Sequence, residues 1–449
     1  MRWMAAVTAM LLASCAPLDT PARAPGLEAS LPPMRTFAAA GSSIPLRPNS
    51  EIARDFLDLS FQMESGRTLP ALTRFEGPIS VRVTGAVPAT LPGDLSALLG
   101  RLRREAGIDI ALTNGDTASI TVVAIPSATL QRAVPRAACF VVPRVSSWEE
   151  FMAVRRSPQV DWTTLTRRDR AAIFVPSDVA PQEIRDCLHE ELAQAIGPLN
   201  DLYRLPDSVF NDDNIHAVLT GFDMLVLRAY YAPELQNGLS RTQVSRRLPG
   251  LLARLNPAGE AGGRSRATST SRDWVEAMQT ALSPGTAPAS RRQAAATAIG
   301  MARAFGWSGA REGFANYAYG RLLVGYDSPG AYTAFVASAN AYAQSSLMRI
   351  HSAHVAVQLA AFALQSGDAT RVLALVDPAI PVAAEHENAA LLATLLMFRA
   401  EALEMLGRDA EARAVRLDSY GWARYGFGSD VNVLAREREV GGLRPSPRL

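Results

Sequence analysis

Five oxygen-bearing side chains fall in one short stretch: Glu190, Glu191, Gln194, Asn200 and Asp201, with Gly197 between them. Positions 190 and 194 are one helical turn apart and project from one face of a helix. Gly197 is expected at the helix stop, where positive φ is cheap only for glycine, so that Asn200 turns back toward that face. The set supplies carboxylate and carboxamide oxygens. Zinc prefers imidazole nitrogen, thiolate or carboxylate, and the neutral amides of Gln194 and Asn200 are poor zinc donors. No metal is therefore the first expectation. The alternative is a hard divalent cation, calcium or magnesium, on Glu190, Gln194, Asn200 and Asp201. Asp212 and Asp213 could join such a site, although an exposed acidic turn is the simpler expectation.

Histidine does not change this reading. His189-Glu190 has the look of a zinc-protease start, but Ala193 stands four residues on and Gln194 lies five away, well round the helix. His216 is close in sequence, yet one imidazole does not make a site. With five histidines in all and no clustering, a polyhistidine metal site is not expected. A Gly-x-Ser-x-Gly elbow, a P-loop, a dinucleotide-binding glycine motif and a Cys-x-x-Cys pair are all missing.

The elements that must position the stretch follow from periodicity. Ser50 suits a helix N-cap, followed by Ile52, Phe56, Leu59 and Met63 at helical spacing and a stop at Gly66. Ile79–Val83 alternates as a strand. Pro92-Gly93-Asp94 opens a helix with Leu95, Leu98, Leu99 and Leu102 on one face, ended by Gly107. Strands are predicted at 108–112, 120–125, around 139–142 and at 171–175, with 148–169 as a charged, irregular insertion. A helix from Pro181 or Gln182 then carries Cys187 and the polar stretch. Residues 49–245 thus form an α+β domain, a mixed sheet plus two main helices. Residues 246–271 are Gly, Ser, Thr and Arg rich toward their end and are expected as a linker. Only helical patterns follow over 272–440, and 441–449 is a frayed tail.

The polar stretch sits in a wider resemblance. Metzincin proteases carry His-Glu-x-x-His-x-x-Gly-x-x-His, and this chain has Glu190-Glu191-x-x-Gln194-x-x-Gly197-x-x-Asn200-Asp201 in that frame. Ser208-Val209-Phe210-Asn211 is similar to the matrixin Met-turn, with Phe210 in place of the methionine. Leu219-Thr220-x-x-Asp223, Leu227 and Tyr230-Tyr231 are similar to the matrixin C-terminal helix. The resemblance covers roughly residues 70 to 235 and implies a metzincin-like core without its zinc ligands. By the same resemblance Glu191 keeps the place of the general base, with little to do unless a metal activates water. The same landmarks resemble an uncharacterised family of proteobacterial lipoproteins, domain of unknown function 2927, which implies no activity. In the helical part, Ala363–Asp368 and Ala402–Arg408 each end an Ala-rich helix in glycine before a second helix. That resembles tetratricopeptide-type hairpins.

The chain of 449 residues has 45 Lys plus Arg against 43 Asp plus Glu, so nothing in its charge points to nucleic acid. Apolar content of 48% with 20% charged residues suits globular domains. Residues 1–14 have the form of a signal peptide, with an apolar run too short to span a bilayer. Leu12-Ala13-Ser14-Cys15 resembles the bacterial lipobox, which implies acylation of Cys15 and anchoring on the periplasmic side, with the outer membrane favoured by Ala16. Residues 15–48 are Pro-rich and expected as a spacer. No later run is expected to span a bilayer. Cys139 and Cys187 then remain as one expected disulfide.

The residues lead to an envelope lipoprotein whose inactive metzincin-like domain, with the helical domain, binds an envelope protein or peptide. One alternative is a metal-dependent hydrolase with Glu191 as base and an oxygen-rich shell. The other is a purely structural envelope protein.

Overall fold

The computed structural model describes residues 31–38, 41, 44–45, 47–135, 137–261 and 268–445. Cys15 and the signal segment lie outside the described residues. The first part strings together α1 (Asn49–Phe61), β1 (Ile79–Gly85), α2 (Leu91–Ala106), β2 (Ile110–Leu112), β3 (Ile120–Ile125), α3 (Ser127–Ala133), β4 (Phe140–Pro143), α4 (Trp148–Val154), β5 (Ala171–Pro176), α5 (Pro181–Ile196), α6 (Gly221–Tyr230) and α7 (Arg241–Leu255).

The sheet runs in the order β2-β1-β3-β5-β4, parallel except for β4, which pairs antiparallel with β5 at one edge. Strands β3 and β5 are buried along their whole length, as strands covered on both faces must be. Their side chains divide with period two. Ile120, Val122, Ile173 and Val175 meet the helices of the main core, while Val123, Ile125, Ala172 and Phe174 meet a second core. That second core overturns one expectation. The segment expected as an irregular insertion supplies α4, whose Trp148 and Phe151 pack with Phe140 and Phe174 to cover the sheet.

Leu95, Leu98, Leu99 and Leu102 of α2 are buried as one face, and Gly107 ends the helix at φ 69°. Helix α1 begins at Asn49 behind Pro48, not with a Ser50 cap, and stops at Phe61, before Met63 and Gly66. The Asn49 amide donates to Asn256 O and Glu260, at the end of α7. Helix α7 also corrects the linker expected from residue 246. Val244, Leu248, Leu251 and Leu252 are buried against the first domain, so its polypeptide is helical through Leu255.

The rest is all-helical: α8 (Arg272–Leu282), α9 (Pro288–Ala304), α10 (Ala310–Leu323), α11 (Ser328–Tyr342), α12 (Arg349–Gln365), α13 (Ala369–Val376), α14 (Ala379–Glu385), α15 (Ala389–Met405), α16 (Asp409–Phe427) and α17 (Asp430–Gly441). Successive helices pack in pairs, notably α8 with α9, α10 with α11, α12 with α13 and α15 with α16. Gly367 and Gly407, in the turns after α12 and α15, take φ of 78° and 72°, where only glycine is unstrained. The apolar stretch Ser346–Gln365 is long enough to cross a membrane by length and composition, contrary to expectation, but half of it is buried within the protein.

Both ends of the described chain are more ordered than a spacer and a frayed tail. Arg35 N donates to Gly421 O, Arg424 donates to Pro32 O, and the Phe37 ring stacks on Trp422 at 4.5 Å. Arg444 pairs with Glu401 and Glu404.

Candidate functional site

Helix α5 is fixed at both ends, which is what its polar stretch needs. Near its start, Gln182 bonds Asn388 and accepts from the Ala390 N–H, and Arg185 pairs with Glu387 at 3.1 Å, all at the start of α15. In the middle, Cys187 is bonded to Cys139 beside the edge strand β4, with Cα atoms 6.0 Å apart. That bridge confirms the expected disulfide. At the end, the buried Arg168 guanidinium donates to the carbonyls of Gln194, Ala195 and Gly197. A cation on the open carbonyls of a helix C-terminus satisfies both their hydrogen bonding and the helix dipole. Gly197 itself does not take positive φ; its φ is −138°. Glycine is needed there for close packing, because a Cβ would lie 2.6 Å from Leu227 Cδ2 of α6.

The turn at Ser208–Asn211 is held under this region by Asp223. Ser208 Oγ and the Val209 N–H donate to the Asp223 carboxylate, which also caps α6 through Thr220. Phe210 is buried, and its carbonyl accepts from the Leu202 N–H just beyond Asp201.

Of the residues expected to act, the structure brings together some and diverts others. Oxygens of Asp201, Asp212 and Glu64 all lie within 4.8 Å of one another. Burial, then the Glu64 and Asp212 charges, push the Glu190 carboxyl up to about 7. Burial, then Glu64 and Asp213, push Asp212 up to about 7. Asp201 is held well above the usual carboxylate range by burial, then by Glu64, Glu190 and Asp212. Glu191 is 5% exposed, with the Val141 backbone of β4 in its field, and its Oε2 is buried without a partner. Burial, then Glu190 and Glu64, raise it well above the ordinary range. Gln194 is 7% exposed. It makes no side-chain hydrogen bond among the described residues. Asn200 is diverted, since its amide donates to Asp58 O of α1 at 3.0 Å. His189 is structural: its Nδ1 accepts the Leu219 N–H, and burial, with Arg185 and Arg101 behind it, depresses its pKa.

A cleft of about 340 Å³ opens beside the carboxylates, lined among others by Glu64, Asn200, Asp201, Tyr203, Asp212 and Arg272. Its walls come from both parts of the chain. Among the described residues, no arginine or histidine forms an ion pair with Glu64, Glu190, Glu191, Asp201 or Asp212. Elsewhere Asp55, Asp58, Glu387 and Glu401 each meet an arginine.

Asp213 is not in an exposed turn. It is buried, accepts from the Ile215 N–H, and faces His351 Nε2 at 3.0 Å. There the expectation of unclustered histidines fails. His216 lies 5.6 Å from His351 and 5.4 Å from His386 between ring centroids. His354 shares the field of His351, His216 and Asp213. Burial first, then neighbouring imidazoles, depress His216 and His354 to about 4 and His386 to about 3. Sequence reasoning missed this seam, Glu64 and Arg168. The only local signal was the pair His351 and His354, three apart on one helical face.

Residues 49–250 match the family described as Protein of unknown function (DUF2927), and over that span the chain belongs to it. No curated protein and no solved structure matches the chain.

Proposed function

With the DUF2927 family as premise, we propose that the chain is an envelope lipoprotein anchored through Cys15 on the periplasmic side, with the outer membrane favoured. Its metzincin-like first domain has lost its zinc chemistry and binds a protein or peptide partner. The tetratricopeptide-like helical domain adds surface to that site. The observation that carries the reading is an open cleft at the Asn200–Asp201 end of the frame, with no imidazole among its lining residues. A purely structural protein would have no reason to keep that cleft unfilled. The sheet order, the single face shared by Glu190 and Gln194, and the Ser208 turn pinned by Asp223 support the metzincin-like identity. Protein purified without chelators is expected to hold no zinc. One tightly bound equivalent by mass spectrometry of the intact protein would overturn the reading.

A second reading has one observation in its favour. Glu191 is buried beside the edge strand with its Oε2 free of any partner, as a general base would be. On that reading the chain is a metal-dependent peptidase with Glu190, Gln194, Asn200 or Asp201 as ligands. Glu191→Gln would then abolish a metal-dependent activity, and an unchanged cellular phenotype in that variant would dismiss it.

A further inference from the structure

We propose that the cleft is a binding site for one hard divalent cation of the calcium class, held by Glu64, Asp201 and Asp212 with Glu190 beside them. The inference goes beyond the partner-binding reading and does not need it, because a cation can order this cleft whether or not a partner enters.

Geometry comes first. Two oxygens on one calcium ion, each at about 2.3–2.6 Å, lie at most roughly 5 Å apart. Oxygens of Glu64, Asp201 and Asp212 already meet that limit, with every pair within 4.8 Å. They come from three separate places: the turn after α1, the segment after α5, and the turn beyond Ser208–Asn211. That convergence is a product of the fold, not of a local acidic run. Glu64 is exposed, while Asp201 and Asp212 are half-buried, so a cation would enter from the cleft and lose much of its water on one side.

Charge comes second. The arginines that line the cleft are already engaged, Arg204 with Asp55 and Asp58, and Arg272 with Glu276. The cluster is thus left with carboxylates facing one another, Glu64 and Asp201 within hydrogen-bonding reach. Grouped carboxylates out of water are costly unless protonated or given a cation.

The surroundings supply an independent indication. Asp201, which lines the cleft, keeps its Oδ1 buried and without a partner. Glu191, 5% exposed, keeps Oε2 buried and unpartnered within the field of Glu190 and Glu64. Buried carboxylate oxygens without a partner call for one. A calcium ion with its water shell uses carboxylates and carboxamide oxygens together, taking six to eight oxygens. Magnesium asks for fewer carboxylates and a stricter octahedron, and zinc for nitrogen or sulfur. The donor set therefore favours calcium.

The test is calorimetric titration of the chelator-stripped full chain with calcium chloride, with thermal unfolding followed in parallel. One equivalent is expected to bind saturably and to raise Tm. Glu64→Gln with Asp201→Asn is expected to raise Kd at least about tenfold while the circular dichroism spectrum stays native, because two of the charged ligands are gone. Should the double variant fail to fold, the wild-type Tm response to calcium carries the test alone. Absence of saturable binding and of any Tm response up to about 10 mM calcium, beyond the weak extracellular range, overturns the proposal. So does an unchanged Kd in the folded double variant.

Discussion

Asp212 and Asp213 are neighbours in the chain, and each belongs to a different cluster. Asp212 joins Glu64 and Asp201 at the cleft, with Glu190 in their field; Asp213 turns to His351 in a seam with His216, His354 and His386. Both clusters gather groups of one type. They are handled in opposite ways. An imidazole can lose its proton and pack as a neutral ring, and the seam uses this: its rings meet edge to face, with one carboxylate among them. A carboxyl at neutral pH must hold a proton or take a cation, and the cleft is left open to solvent where a cation can arrive. The seam therefore packs as a structural joint, while the cleft has the make-up of the proposed cation site.

The largest expected effect tests how far the cleft depends on its frame. The Cys139–Cys187 bridge joins α5 to the edge-strand region across 48 residues of sequence. Cys139→Ser with Cys187→Ser is expected to cost about 4 kcal/mol in the chain-entropy model, read from urea unfolding. The loss should weaken the cleft and leave the histidine seam paired.

The seam should respond more strongly than its size suggests. His351 is fully buried and faces Asp213. His351→Ala leaves a cavity and one less partner for a buried carboxylate, at an expected cost of about 3 kcal/mol in urea unfolding. A cost below about 0.5 kcal/mol, the range of ordinary surface changes, would show that the seam is not a joint.

The pH dependence of the seam has a definite sign. Burial, with His351 and His216 beside it and Asp213 and Arg321 in its field, places His354 at about 4 against 6.5 unfolded. As the pH falls below about 6.5, the unfolded chain takes up the proton first. The stability contribution is intact above that point and is lost as the pH falls toward 4. Relative to His354→Gln, the wild type is expected to lose about 2 kcal/mol between pH 7 and 5. A parallel profile in the two proteins would dismiss the buried neutral imidazole.

The same contrast explains what could be read in the sequence. Period-two and helical spacing placed β1, β3, β5, α2 and α5, because each of those faces is decided by residues within one element. The cysteine pair and the oxygen-bearing stretch were legible for the same local reason. Glu64 was not, since it reaches Asp201 only because α1 packs where Asn200 can bond Asp58 O. The seam was hidden more deeply: His216 and His386 are brought to α12 by the docking of two parts of the chain, which no short-range pattern records. Residues 148–154 misled for the opposite reason. Glu149 and Glu150 made the segment look like a charged loop, while Trp148 and Phe151 carried its packing.

The smallest expected effect separates the clusters most sharply. Removing charge from the seam destabilises, because its one carboxylate is satisfied; removing charge from the cleft should stabilise. Asp201 has Glu64, Glu190 and Asp212 in its field and a buried Oδ1 without a partner. Asp201→Asn keeps the shape, supplies two N–H donors to those carboxylates, and removes a carboxyl that can ionise there only at a cost. In calcium-free buffer with chelator it is expected to raise unfolding stability by about 1 kcal/mol, the scale of one hydrogen bond. In excess calcium the order should reverse, because only the wild type then gains the binding energy of the ion. A variant less stable than wild type in both buffers would mean that Asp201 is held by contacts of its own, and the cleft would then be a satisfied structural cluster like the seam.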